Sequence, residues 1–493
     1  MFSIPAKITR TYSLVFALVF FCTLSAIPVT AQTQGDDEIR QLKQIVVDLQ
    51  SRVTALERQN AVLMNGSTVS GDNGPEAAAA LVNATAALRR TDGAGPSVPQ
   101  TSSQEAPVQP AAPAALPANL PGGATLNYML NGYYEYNFNT PPGGVNDVRA
   151  YDVLSNAFSI NQADVIVALD PDVAAKRRYG VRLDLQFGQA SETLQGNPAN
   201  EPRPEIYRNI FQAYGTYVVP IGRGLNVDIG KWASSLGVEG NYTKDQMNYT
   251  RSFYFYFLPF YHAGVRTQYH INDKLAVNYW LVNGTNQSEP TNQYKDELFG
   301  YILQPTKSLS WTVNYYLGQD HPNVTPASNC TAPVQPGLCL TPITPAPNGK
   351  LDIFDSYATW QATSKLTLQA EGDYVIEREW SSAAPDESSA PSHVDGGVGY
   401  VLYQLSPRDD LAMRGEYLSD RGGLFSGATQ ALKEVTATYE HKLGDGFDAF
   451  LEFRRDWSNI SYFTTDHLNS PSTQQPTATL GLVWWYGGKQ GSW

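Results

Sequence analysis

From Ala124 to Trp493 apolar and polar residues alternate in runs of 10 to 14 positions, broken in turn by short tight turns and longer polar loops. Arg178–Gln189 shows the pattern most clearly: Tyr179, Val181, Leu183, Leu185 and Phe187 take one face, Arg182, Asp184 and Gln186 the other. Leu126–Phe138 and Tyr261–Ile271 repeat it, the latter with Tyr261, Val265, Tyr269 and Ile271 against His262, Arg266, Gln268 and His270. A period of two is that of a pleated strand. Strands of a soluble sandwich run nearer five or six residues, whereas roughly 9 to 11 residues tilted at about 45° cross a bilayer with the apolar face to lipid. Such a sheet must close, because an open edge in lipid leaves backbone groups unpaired.

Short turns fall near Pro171, Pro220, Asn272, Pro305, Ser364, Pro407 and Gly444, and longer connections near 139–155, 190–204, 236–257, 286–292, 319–350, 380–392, 420–429 and 458–473. Seven and eight connections imply an all-β transmembrane barrel of 16 antiparallel strands over 124–493, with both ends on the short-turn side and an aqueous channel within. The last strand, Thr477–Tyr486, turns Leu480, Leu482, Trp484 and Tyr486 outward, and the chain ends on an aromatic, Trp493. Composition agrees. A mean hydropathy of −0.31 excludes a bundle of membrane helices, and a formal charge of −13 excludes nucleic acid as a partner by bulk electrostatics.

The N-terminal part has a different grammar. Lys7 and Arg10 precede an apolar stretch from Tyr12 to Val29 and a small-residue Val29-Thr30-Ala31 site, so 1–31 reads as a secretory signal peptide. Over 36–64 Ile39, Leu42, Val46, Leu49, Val53, Leu56, Asn60 and Leu63 keep the 3,4 spacing of a coiled coil. Glu38 facing Lys43 and Arg52 facing Glu57 of a second copy favour a parallel homo-oligomer. The a and d residues taken alone would say dimer; Ile45 broadens the apolar face and loosens that number. Residues 65–123 are an Ala- and Pro-rich linker, extended in its second half. With the signal removed two cysteines remain, Cys330 and Cys339, which export makes an expected disulfide.

No G-x-S-x-G, H-E-x-x-H, C-x-x-C or P-loop pattern occurs, so neither an enzyme nor a cofactor or metal centre is expected. Charge on the inward faces is mixed: Arg182, Arg208, Arg266, Arg414 and Arg454 against Asp184, Asp228, Glu371, Asp373, Glu416 and Glu452 as pore-wall candidates. Five against six predicts no strong ion preference. The loop 236–257 interleaves Glu239, Lys244, Asp245 and Arg251 with Tyr242, Tyr249, Phe253, Tyr254 and Phe255. It reads equally as a constriction folded into the lumen, with those four charges setting a transverse field, or as an exterior loop ending in an aromatic girdle.

Gly230-Lys231-Trp232, Gly237-Val238-Glu239, Asn248-Tyr249-Thr250-Arg251-Ser252 and Pro259-Phe260-Tyr261-His262-Ala263-Gly264-Val265 resemble the OmpL-like family of β-barrel porins of the bacterial outer membrane. The resemblance implies a porin, a passive channel for small hydrophilic solutes, and, as in general porins, a third loop that narrows the pore. Outer-membrane lipid is then a partner, the N-terminal stalk stands in the periplasm, and the resemblance together with the broadened face at Ile45 favours a trimer over a dimer. Two other classes stay open: a structural tether joining the outer membrane to the cell wall through the coiled coil, and an outer-membrane hydrolase with a site built across strands.

Overall fold

The computed structural model describes residues 119–487 apart from 196–200, 202–203, 327–339, 343–347, 381–388, 445 and 468. The alternating runs become sixteen antiparallel strands in one closed sheet. β1 (Ala124–Asn137), β2 (Ala157–Leu169), β3 (Tyr179–Phe187), β4 (Ile210–Val219), β5 (Leu225–Ala233), β6 (Tyr261–His270), β7 (Leu275–Val282) and β8 (Asp296–Thr306) make half of the ring. β9 (Leu309–Gln319), β10 (Lys350–Gln361), β11 (Leu366–Glu377), β12 (Ser392–Ser406), β13 (Asp409–Arg421), β14 (Gln430–Gly444), β15 (Phe447–Ser458) and β16 (Gln474–Gly487) make the other. Each strand pairs with its sequence neighbours, and β16 closes on β1 from Thr477 opposite Asn137 to Gly487 opposite Asn127. The sheet thereby has no open edge, which a lipid-facing sheet requires.

Short turns and long connections alternate in the expected order. The long β3–β4 connection carries α1 (Gln189–Gln195) and α2 (Pro204–Tyr207), and the β5–β6 connection carries α3 (Phe253–Phe257). A small hairpin, Val324–Pro326 against Leu340–Pro342, lies in the β9–β10 connection. Among the described residues no helix is long and apolar enough to cross a membrane. The coiled coil, the linker as far as residue 118, the signal segment and the cysteine pair lie outside the described residues; the last linker residues turn back on β1, with Asn119 opposite Thr125 and Leu120 opposite Ala124.

The two faces separate as the pleat dictates. On β3 Tyr179, Val181, Leu183 and Phe187 are exposed while Asp184 and Gln186 are buried. Outward aromatics gather at both rims. Tyr128 packs with Trp484 and Tyr486 at ring separations of 5.4 and 5.7 Å near the short turns. Tyr134 with Phe158, and Tyr136 with Phe138, do the same at 4.8 and 5.1 Å near the long connections. Ten positions from Tyr128 to Phe138 at about 3.3 Å each, tilted by about 40°, put the two groups about 25 Å apart across the sheet, the height of a transmembrane band.

Three expectations change. The interior is not simply wet: Trp232, Trp280, Val282, Leu298, Tyr316 and Ile353 point inward and pack with Leu236, Phe253, Tyr254 and Leu258 of the β5–β6 connection into an apolar core. Arg208 is not on the wall. It precedes β4 in the long connection, where it pairs with Glu205 at 3.2 Å and Glu192 at 3.5 Å. Tyr261, at a lipid-facing parity on β6, is fully buried because the β7–β8 connection covers it; its hydroxyl donates to Asn286 O at 2.7 Å.

Candidate functional site

The β5–β6 connection begins as an extension of the ladder, with Ser234 N–H donating to Phe260 O at 2.9 Å. From there it turns into the lumen. Gly237 takes a left-handed φ of +84°, open to glycine at little cost, and the N–H groups of Gly237 and Val238 donate to Asp355 Oδ1 at 3.1 Å and Glu371 Oε2 at 2.7 Å on β10 and β11. The chain then reaches the opposite wall. The Tyr242 hydroxyl donates to Asp184 of β3, and Thr243 Oγ1 donates to Gln162 of β2 at 2.8 Å while accepting from Asn131 of β1 at 2.6 Å. It returns along β14 and β15: Asn248 Nδ2 donates to Thr438 Oγ1 at 2.7 Å, and the N–H groups of Tyr249 and Thr250 donate to Glu452 at 2.8 and 3.1 Å.

The last part is α3, too short to hold itself. Its N-cap Ser252 accepts from Phe255 N at 3.0 Å, and Glu416 of β13 accepts from Phe253 N and Tyr254 N at 2.8 and 2.9 Å. One device recurs four times. Inward carboxylates at 355, 371, 452 and 416 take up backbone N–H groups that have no partner within the loop. Charge-assisted bonds of this kind are worth about 1.5–3 kcal/mol each.

Of the four loop charges, Glu239 accepts from Arg414 Nη1 at 3.0 Å and from Ser252 N at 2.7 Å. Arg251 is buried, and its guanidinium donates to the carbonyls of Tyr249, Asn241 and Gly240 at 2.9, 3.0 and 3.1 Å, between the rings of Tyr151 and Phe255. Burial holds it below its ordinary basicity, with Glu239 opposing. Arg251 thus ties the loop to itself. Lys244 pairs with Asp245 at 2.6 Å, and burial lowers its ammonium against the pull of that carboxylate.

On the wall, Arg182 donates to Asp184 at 2.9 Å and Arg266 to Asp228 at 2.6 Å. Arg414 bridges Glu434 at 2.7 Å to Glu239, and Arg454 donates to Asp456 at 2.7 Å and to the Arg251 carbonyl. Glu371, Glu416 and Glu452 hold loop backbone, and Asp373 lies buried beside Glu371 and Asp355. Sequence reasoning missed Asp355, Glu434 and Asp456, although each sits at an inward parity between outward residues. It also missed Arg149, which binds Asp456 at 2.7 Å from the first long connection, where no local period exists to flag it.

Two cavities flank this arrangement, and no residue lines both. One of about 980 Å³ opens among the long connections, bordered by Arg149, Glu201, Phe257, Asp320 and Arg378. Burial and then the Glu377 carboxylate push Asp320 up to about 8, so its charge depends on pH near neutrality. The other, about 570 Å³, lies toward the short turns, bordered by Thr216, Asp228, Ser235, Arg266, Gln268 and Tyr357.

Comparison with solved structures finds long but distant likenesses. The outer membrane channel DcaP of Acinetobacter baumannii aligns over 75% of this chain and 99% of its own at 10% identity and a TM-score of 0.47. An anion-selective porin from Comamonas acidovorans aligns over 74% and 99% at 6% identity and a TM-score of 0.45. OmpT of Vibrio cholerae aligns over 74% and 97% at 10% identity and a TM-score of 0.42. No curated protein matches. Residues 123–484, all of the barrel just described but the end of its last strand, match the family model "Putative beta-barrel porin-2, OmpL-like", and the chain belongs to that family.

Proposed function

We propose that the protein is a passive outer-membrane porin for small hydrophilic solutes, narrowed by the loop 236–257. The observation that carries the reading is the strapping of that loop: its backbone is bound by Glu371 on one wall and its side chains reach Asp184 and Gln162 on the other. A strap of this kind reduces a sixteen-stranded lumen to a narrow passage and keeps charged groups beside it. Glu239, Lys244, Asp245 and Arg251 act here mainly by fixing the strap, and the wall pairs Arg182–Asp184 and Arg266–Asp228 offer solutes both signs of charge. The chain acts without a catalytic step. Its signal segment (1–31) is removed on export, and a coiled coil (36–64) and linker (65–123) form a periplasmic stalk preceding the barrel (124–493) in the chain. Cys330 and Cys339 close a disulfide in the β9–β10 connection.

Planar-bilayer recording of the purified protein tests this. Discrete steps are expected, and replacing 239–251 by a short Gly-Ser linker enlarges them, because the sixteen strand pairings do not include the loop. A sealed bilayer across preparations overturns the reading. One observation favours a second reading, a tether with a blocked barrel: the two cavities share no lining residue. Deleting 36–123 separates the two, since a tether loses its hold on the envelope and a pore keeps conducting.

A further inference from the structure

Three carboxylates face the lumen where the strap begins: Asp355 on β10, and Glu371 and Asp373 on β11. Register sets Asp355 directly opposite Asp373, with Glu371 two positions along the same face. One oxygen from each lies within 4.8 Å of the others, and all three side chains are buried. Among the described residues no Lys or Arg forms an ion pair with any of them; the nearby Arg414 is taken up by Glu239 and Glu434.

Asp355 and Glu371 have donors in part, from Asn314 Nδ2 at 2.8 Å, Gly237 N at 3.1 Å and Val238 N at 2.7 Å. Asp373 has no donor outside the group: both of its oxygens are buried, and its polar neighbours are the Glu371 and Asp355 carboxyls themselves. A second observation comes from the opposite side. Tyr254 of α3 is fully buried, and its hydroxyl is also without a partner. That hydroxyl lies 2.8 Å from the place a Cβ would take on Gly396, the residue of β12 paired with Asp373. Asp373 is also the carboxylate that acts most strongly on it. An unpartnered phenol oxygen therefore lies on the wall beside the residue paired with Asp373, next to a carboxyl that has no outside donor.

Three buried like charges without a counter-charge cannot persist. All the available donors are hard oxygens, which select calcium or magnesium over softer metals. Calcium–oxygen distances of about 2.3–2.6 Å allow donors on opposite sides of one ion to stand up to about 5 Å apart, which accommodates this group. We propose that Asp355, Glu371 and Asp373, with the Tyr254 hydroxyl, bind one divalent cation of the calcium type. The ion joins the wall at β10 and β11 to both ends of the strap, through the N–H groups at 237 and 238 and through α3. The inference concerns wall and loop alone and stands whether or not the barrel conducts.

The test is calorimetric titration of calcium chloride into the full-length protein in detergent after stripping with EDTA. One ion per chain is expected, with a rise in the thermal midpoint. Asp373→Asn weakens binding by about tenfold or more and abolishes that rise, since affinity follows the count of charged ligands. Tyr254→Phe weakens it several-fold and leaves the barrel intact. Lipopolysaccharide carried through purification binds calcium equally in every variant, so the difference between wild type and variant is the readout. Wild type that takes up no calcium at pH 7.5 overturns the proposal and leaves protons as the occupant, and equal binding by Asp373→Asn overturns it too. Should Asp373→Asn not fold, unchanged affinity in Tyr254→Phe overturns it.

Discussion

Arg414 shows how much one inward side chain carries. Its guanidinium donates to Glu434 at 2.7 Å on the neighbouring strand, and to Thr250 O at 2.6 Å and Glu239 at 3.0 Å in the strap. Glu434 is buried and keeps only the Thr436 hydroxyl and a longer cationic contact, 3.4 Å, with Arg454. Removing one partner of a buried ion pair leaves the other uncompensated at a cost of about 3–5 kcal/mol. Arg414→Ala therefore lowers the thermal midpoint in detergent by several degrees or more, followed by tryptophan fluorescence. Arg414→Lys restores only part of it, because an ammonium lacks the planar fork that reaches wall and strap together. A wild-type midpoint in Arg414→Ala would show that the network is solvated and carries little.

At the level of elements, the strap depends on how closely β4, β5, β6 and β7 approach at its base. Gly230 of β5 stands opposite Gly264 of β6. A Cβ on Gly230 would fall 2.2 Å from Ala213 O and 2.7 Å from Tyr214 Cα, and its φ of +137° is one that side chains rarely adopt. Gly230→Ala therefore pushes β4 aside at a cost of about 1–3 kcal/mol. The expected result is a lower temperature of unfolding in a gel assay of heat-modifiable mobility. Gly415→Ala is the control, since a Cβ there meets nothing within 4 Å, and no shift is expected. Equal behaviour of the two variants would refute the account. Gly481 plays a related part on β16, where any Cβ would meet the Tyr249 ring of the strap at 2.4 Å.

For the whole molecule, an even number of strands returns both ends of the sheet to the short-turn side. A stalk of four heptads is short, so barrel walls share in holding the proposed parallel trimer. Native mass spectrometry of the full-length chain should give an oligomer, three copies in the expected case. A chain starting at Ala124 should dissociate at lower detergent concentration. Monomeric full-length protein in mild detergent would remove the oligomer from the proposal, and a dimer would correct the number alone.

Strand number, strand faces and the alternation of short and long connections were all legible in the residues from Ala124 onward. That information is local. A pleated backbone between lipid and lumen forces a period of two, and Tyr179 to Phe187 states it without reference to any other strand. The partners of the inward charges were not legible, because they are chosen only when the ring closes: Arg149 meets Asp456 more than three hundred positions away. Asp184 showed its face in the alternation, yet its bond to Tyr242 depends on a loop whose path no period records. Arg208 failed for the complementary reason, since a lone arginine at a strand boundary carries no mark of which side of the boundary it occupies. The choice between a strap and an exterior loop, open for 236–257 in the sequence, turned on unpaired backbone N–H groups finding Glu371, Glu416 and Glu452. Those carboxylates stand on strands far along the chain, and only a closed barrel brings them to the loop.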